Sequence, residues 1–169
     1  QESRGLGDVY KRQGGSRGIG KSIVEVLVKN GANVGFTFTS SDLAANNICK
    51  ELNSKDTQCI AYKSDASKLD QCENLVESFL NDFETIDVLI NNAHQDFEQT
   101  KILDIAHRAW KDDNTKHIIN ISSRASQPNI SKGHVYASQK ASLNHMSNNL
   151  TYNSDRKYKI TTMNLGCLL

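Results

Sequence analysis

Tyr136 and Lys140 stand four residues apart in the run Tyr136-Ala137-Ser138-Gln139-Lys140. On a helix that spacing puts both side chains on one face. An ammonium beside a phenol favours the phenolate and draws the tyrosine pKa down from about 10. The pair then becomes a proton donor and acceptor for chemistry near neutrality. The same spacing also suits an ordinary surface pair, so it needs company. Ser123 ends an apolar run shortly before, where its hydroxyl would hold a substrate oxygen beside the tyrosine. A second chemical feature lies near the start, in Gly14-Gly15-Ser16-Arg17-Gly18-Ile19-Gly20. This loop opens an amphipathic run, so helix N–H groups and the positive end of a helix dipole would face a pyrophosphate. Glycines let the backbone approach such a group without a Cβ in the way. A tight turn would use the same glycines.

Alternating elements must position these residues. Ile19, Ile23, Val24, Val26, Leu27 and Val28 give a helix from Gly18 with a broad apolar face, stopped by Gly31. The stretch 32–40 reads as a strand, and Ser41 or Asp42 caps a second helix to about Leu52. A short strand ends at Ser64-Asp65. A helix over 69–83 then carries Leu69, Cys72, Leu75, Val76, Phe79, Leu80 and Phe83 on one side. Further strands end in Asn91-Asn92 and Ser122-Ser123, with a short helix over 102–110 between them. A helix over about 135–150 and a strand at 158–164 follow. This order predicts an α/β fold, a doubly wound parallel sheet with helices on both faces. Ligands in such sheets bind beyond the carboxyl ends of the strands, where the polar residues gather.

Composition narrows the function. The chain has 169 residues, enough for one domain, and a net charge of +1, which gives no basic surface for nucleic acid. No apolar run reaches the length of a membrane span, and the start lacks the apolar segment of a signal peptide. Cys49, Cys59, Cys72 and Cys167 form no C-x-x-C pair and no zinc-spaced cluster. They read as reduced thiols of a cytoplasmic protein with no metal site.

Five segments in order, GGSRGIG, SDAS, LINNA, INISS and YASQK, resemble the short-chain dehydrogenase/reductase family in its classical form. The resemblance covers roughly residues 14–166 and implies a Rossmann-like fold. It assigns Gly14, Ser16, Arg17, Gly18, Ile19 and Gly20 to the cofactor loop, Asp65 to the adenine, and Asn91 and Ala93 to the adenosine ribose. It implies that Ser123, Tyr136 and Lys140 are catalytic, with Tyr136 and Lys140 also touching the cofactor. The implied activity is hydride transfer between NAD(P)(H) and a small carbonyl or secondary alcohol, with reduction of a 3-oxoacyl thioester as one subtype. A homo-oligomeric parent protein is implied as well. Cofactor choice follows from charge. NAD-selective sites place an acid at the end of the second strand, and that position falls here at Phe38 or Thr39. Arg17 would pair with a 2′-phosphate and Ser40 would donate to it, so NADP(H) is preferred, with NAD(H) still open. The alternative functions are a non-catalytic NADP-binding protein on the same fold and an inactive sequencing fragment.

Departures from the family pattern accompany the matches. His94 stands where the family has glycine after Asn91-Asn92-Ala93. The stretch from Asn92 to Ser123 lacks about fifteen to twenty residues, four or five helical turns. Those turns would carry the asparagine of a proton relay, and Asn114 is the nearest substitute. Residues Ser3–Gln13 match the translation of a transposase-type sequencing adapter, and Cys167–Leu169 its opposite strand. The expected organisation is therefore a foreign segment over 1–13, a partial domain over 14–166 and a foreign tail over 167–169. Arg4, Lys11 and Arg12 against Asp8 give the adapter stretch a net +2, so the slight basicity carries no meaning.

Overall fold

The computed structural model describes residues 14–92, 106, 110, 112–128, 133–152 and 155–166. They fall into two units. One holds the described residues up to Glu84 together with Asn92, and the other holds Thr85–Asn91 and the described residues from Ala106 onward.

In the first unit, α1 spans Gly18–Lys29 and leads to β1, Val34–Phe38. Successive strand residues point to opposite faces. Val34, Phe36 and Phe38 are accordingly buried on one face of β1, and Gly35 and Thr37 point to the other. The buried face packs with Val24 and Val28 of α1, with Ala45 and Ile48 of α2 (Asp42–Leu52), and with Cys59 of β2 (Cys59–Lys63). Strands β1 and β2 run parallel, with Val34 opposite Cys59 and Phe38 opposite Lys63. Against the other face lies α3, Leu69–Phe83, whose Phe79 stacks between Phe83 and Tyr62 at centroid distances of 4.6 and 6.0 Å. Helices thus cover both faces of this ladder, as the alternating pattern predicts.

In the second unit, β3 (Val88–Asn91), β4 (His117–Ser123) and β5 (Lys159–Leu165) form a parallel sheet in the order β3-β4-β5. His117 sits opposite Val88 on one side and Lys159 on the other. Helix α4, His134–Tyr152, connects β4 to β5. Its Leu143 joins Ala106, Trp110, Ile118 and Tyr158 in a compact core, where Trp110 meets Tyr158 edge-on at 6.5 Å. Arg156 locks the approach to β5. Its Nε donates to the Leu150 carbonyl and its Nη1 to the Tyr158 carbonyl, with the guanidinium over the Tyr158 ring.

The fold class is therefore the Rossmann-like parallel α/β class, and each described element falls where the periodicity places it. One local expectation changes. Cys72 is buried in α3, but Leu69 and Leu80 are 39% and 42% exposed. Two described strands offer α3 a narrow seat, which Cys72 and Phe79 fill and the leucines at its margins do not. Of the helix expected over 102–110, only Ala106 and Trp110 are described, both helical and buried. The expectations for residues 1–13, Ala93, His94 and 167–169 lie outside the described residues. No described helix is long and apolar enough to cross a membrane.

Gly35 is a tight point of the β1 packing in the first unit. A Cβ there would lie 2.5 Å from a Phe79 ring carbon and 2.7 Å from one of Tyr62. Overpacking of this kind costs typically about 1–3 kcal/mol. Gly35→Ala is expected to lower the unfolding free energy by about that amount, read from the urea midpoint. An unchanged midpoint would show that the two rings move aside freely.

Candidate functional site

The glycine loop lies ahead of α1. Gly15 N–H donates to the Thr37 carbonyl at 3.1 Å, which ties the loop to β1. Arg17 is the N-cap, exposed and in extended conformation, and its side chain caps nothing. No acidic residue lies in the first turn. The first N–H groups of a helix lack intrahelical acceptors and suit an anion. The glycines are shaped for it. Gly18 has φ +55° with open space where a side chain would project. A Cβ on Gly20 would collide with the Gly14 carbonyl oxygen and lie 2.8 Å from the Asn92 amide nitrogen. Ser16 is buried beneath the loop, and Ile19 is half-buried. This cradle fits the diphosphate of a dinucleotide.

At the carboxyl end of β1, Thr39 and Ser40 are exposed. The nearest acid, Asp42, begins α2 and accepts from Lys63 Nζ at 3.1 and 3.2 Å. At the carboxyl end of β2, Asp65 Oδ1 accepts from the Ser67 backbone N–H at 3.0 Å and the Ser67 hydroxyl at 2.8 Å. Gln71 Oε1 accepts from the Asp65 N–H at 2.7 Å and fixes the same turn.

The second unit assembles the other candidate residues. Lys140 is only 3% exposed, and its Nζ donates to the Ile121 carbonyl at 2.7 Å. Burial pulls its pKa down from 10.5 to about 8. The ammonium lies 6.0 Å from the centre of the Tyr136 ring, one turn earlier on α4. Ser123 ends β4, and its Oγ accepts from the Ala125 N–H at 3.1 Å. A hydroxyl that accepts in this way keeps its own proton to donate. The structure therefore puts Tyr136 beside Lys140 and anchors Lys140 to β4 two residues before Ser123.

Three features escape the sequence reading. Asn91 Nδ2 donates to Asn120 Oδ1, Asn120 Nδ2 to Ser147 Oγ, and Ser147 Oγ to the Leu143 carbonyl, each at 2.7 Å. Asn91 thus turns its amide into the sheet at β4. The available signal was Asn120 itself, a polar residue between Ile119 and Ile121 in an apolar strand. Asn144 lies on α4 four residues past Lys140. Its Nδ2 donates to Ser126 Oγ at 2.9 Å and to Asn164 Oδ1 at 3.1 Å. Ser126 Oγ in turn donates to the Ser123 carbonyl at 2.7 Å, which fixes the short 3-10 turn Arg124–Ser126 behind Ser123. The third feature corrects an expectation. Asn114 is exposed in a turn before His117, at the amino end of β4. Ser123 is at the other end, about 20 Å away at 3.3 Å per residue, so Asn114 cannot serve a relay there. Among the described residues, no three His, Cys, Asp or Glu side chains gather to hold a metal ion.

Comparisons with known proteins show the family and the fold. The family model described as short chain dehydrogenase matches residues 13–114. A 3-oxoacyl-acyl-carrier-protein reductase of Staphylococcus epidermidis is 32% identical over 80 residues, 47% of this chain and 33% of that protein. The chain thus matches about a third of the length of such curated relatives. Among solved structures, a blue fluorescent protein from a metagenomic library in complex with NADPH is 27% identical with a TM-score of 0.70. That match covers 83% of this chain and 66% of the other. A short-chain dehydrogenase/reductase from Serratia marcescens is 23% identical with a TM-score of 0.78, over 89% of this chain and 70% of its own. At that identity the likeness is one of fold.

The buried lysine sets a pH dependence. Between about pH 8 and 10.5 the unfolded chain holds the Lys140 proton that the folded chain has released. The penalty for burying the charge is therefore full below pH 8 and relieved as pH rises toward 10.5. Cys59 and Tyr62, whose pKa values burial raises, push stability the other way in alkali. They act equally in a Lys140→Met variant. The stability of wild type relative to Lys140→Met is expected to climb by about 2–3 kcal/mol across that window. Urea titrations at pH 7, 8, 9 and 10 measure it, and a flat difference contradicts a buried, depressed ammonium.

Proposed function

We propose, because the chain belongs to the short chain dehydrogenase family, that its parent protein transfers hydride between NADP(H) and a small carbonyl or secondary alcohol. The family is one of oxidoreductases, and its members act on small molecules. The observation that carries the reading is the Lys140 ammonium, buried and anchored at Ile121 one helical turn from Tyr136. A charge is kept out of water at such cost only with compensation, and a proton-transfer site gives it a use.

In this reading the nicotinamide supplies the hydride when bound. Tyr136 gives its phenolic proton to the carbonyl oxygen during reduction. The Ser123 hydroxyl, oriented by the Ala125 N–H, donates to the same oxygen and holds it in line. Lys140 keeps positive charge one helical turn from the phenol, and its remaining N–H donors suit a ribose hydroxyl. Gly14, Ser16, Arg17, Gly18, Ile19 and Gly20 hold the diphosphate end, with Asp65 toward the adenine and Asn91 and Ala93 along the adenosine. Exposed Arg17 and Ser40, together with an Asp42 already engaged by Lys63, favour a 2′-phosphate and hence NADP(H) over NAD(H). The NADPH complex of the similar blue fluorescent protein supports that preference. A 3-oxoacyl thioester is the proposed substrate class, by likeness to the Staphylococcus reductase. The parent is proposed to be a cytoplasmic homo-oligomer. Its native sequence here is residues 14–166, with adapter translation on either side, a point that the uninterrupted gene would check directly.

A second reading, cofactor binding without turnover, is favoured by the position of Asn114 at the wrong end of β4. One experiment separates the two. In the full-length parent, Tyr136→Phe is expected to lower the rate of NADPH oxidation by about 10²–10⁴ while NADPH affinity stays the same. Wild-type turnover in the variant refutes the catalytic assignment. Binding with no turnover in either protein selects the second reading.

Arg17→Ala tests the cofactor assignment. A hydrogen bond to a charged group contributes about 1.5–3 kcal/mol. The NADPH dissociation constant is therefore expected to rise roughly 10- to 100-fold, with little change for NADH. Equal losses for both would make Arg17 a loop residue of structural importance only.

A further inference from the structure

Away from these residues, the sulfurs of Cys49 and Cys59 lie 3.8 Å apart. Cys49 is in the last turn of α2 and half-buried, while Cys59 begins β2 and is 2% exposed. Asn53, just past the end of α2, fixes both. Its N–H donates to the Cys49 carbonyl at 2.9 Å. Its Oδ1 accepts from the Cys59 N–H at 2.6 Å, and its Nδ2 donates to the Cys59 carbonyl at 3.2 Å. One asparagine thus clamps both cysteine backbones. At 3.8 Å the two sulfurs are in contact, and a disulfide brings them to about 2.05 Å.

We propose that Cys49 and Cys59 form a modification site, a dithiol that peroxide converts into an intramolecular disulfide. Cys49 is the more accessible and reacts first. Its sulfur takes one oxygen of hydrogen peroxide as the O–O bond breaks, giving a sulfenic acid and one water. The Cys59 sulfur then attacks the sulfenic sulfur, the S–S bond forms and the S–OH bond breaks. The departing hydroxide takes the Cys59 proton and leaves as a second water. The two thiols lose two protons and two electrons, and peroxide accepts both. Desolvation holds both thiols protonated, with Cys59 pushed up to about 12. Because the thiolate is the nucleophile, the pair closes slowly and under sustained oxidant. Cys72 has a different setting, its buried sulfur directed to the Ala66 carbonyl at 3.6 Å.

Loop closure provides the test. In an unfolded chain the Cys49–Cys59 and Cys59–Cys72 loops are of similar length and close with similar entropy, so both form. In the folded chain the sulfurs of the first pair already lie 3.8 Å apart, while Cys72 is directed to the Ala66 carbonyl. The 169-residue chain is treated with hydrogen peroxide in native buffer and, separately, in concentrated urea. Remaining thiols are alkylated, and the linked peptides are mapped by mass spectrometry without reduction. The expected native product is the Cys49–Cys59 peptide pair, reversed by dithiothreitol and at least about tenfold more abundant than any other pairing. Urea is expected to scatter the pairings. Dimedone is expected to label Cys49 in a Cys59→Ser variant and not in the wild type. The same scatter in both buffers, or a dimedone adduct on wild-type Cys49 with Cys59 still alkylatable, overturns the proposal.

Discussion

A lysine ammonium held out of water at Lys140 is the constraint around which the second unit is built. An ion in such a place needs its hydrogen bonds satisfied by the protein. The Ile121 carbonyl supplies one, and it is available because Ile121 lies in β4 near the strand's polar end. The seam between β4 and α4 follows the same logic. Ile118, Asn120 and Ser122 alternate on the face toward α4. Ser122 Oγ donates to the Lys140 carbonyl, and Asn120 reaches Ser147. Helix α4 is consequently poor in apolar residues, and it buries Lys140, Leu143 and Ser147 where a core helix ordinarily buries leucines.

The first unit solves a different problem. Its helices meet β1 through Val24, Val28, Ala45 and Ile48, an apolar core of the usual kind. Polar groups also gather in its loops at strand ends, where the first N–H groups of α1 lack intrahelical acceptors and Asp65 folds onto Ser67. Phosphate binding asks for exposed backbone and a close approach, whereas proton transfer asks for a buried, oriented charge. In the proposed function the two units divide these requirements between them.

That division also explains what the sequence disclosed. Helices α1 to α3 and strands β1 and β2 follow from hydrophobic periodicity, because apolar packing positions them. Periodicity places helix α3 to the residue, but its apolar stripe overstates its burial, since periodicity reports a face and not the width of what covers it. Lys140 and Tyr136 were legible through their spacing. Asn120 was not, because a buried asparagine is recognisable only once its partners Asn91 and Ser147, 29 and 27 residues away, are known. Asn114 was misleading for the complementary reason. Nearness in the chain to Ser123 says nothing when a seven-residue strand lies between them. The contact of Cys49 with Cys59 depends on where Asn53 turns the chain, which no spacing rule encodes.

A greasy seam between a helix and a sheet permits sliding, because one methyl group substitutes for another with little loss. The seam of α4 on β4 has no such tolerance. A slip of one helical turn, about 5.4 Å, would take Ser147 from Asn120 and the ammonium from Ile121 in a single movement, stranding several polar atoms in a dry place. The polar seam therefore works as an index mark. It admits one setting of the helix and excludes the neighbouring ones, so a molecule that packs α4 at all packs it with Lys140 at the Ile121 carbonyl and Ser147 at Asn120. Assembly and alignment become one event, and well-packed but misaligned copies of the protein are kept out of the population.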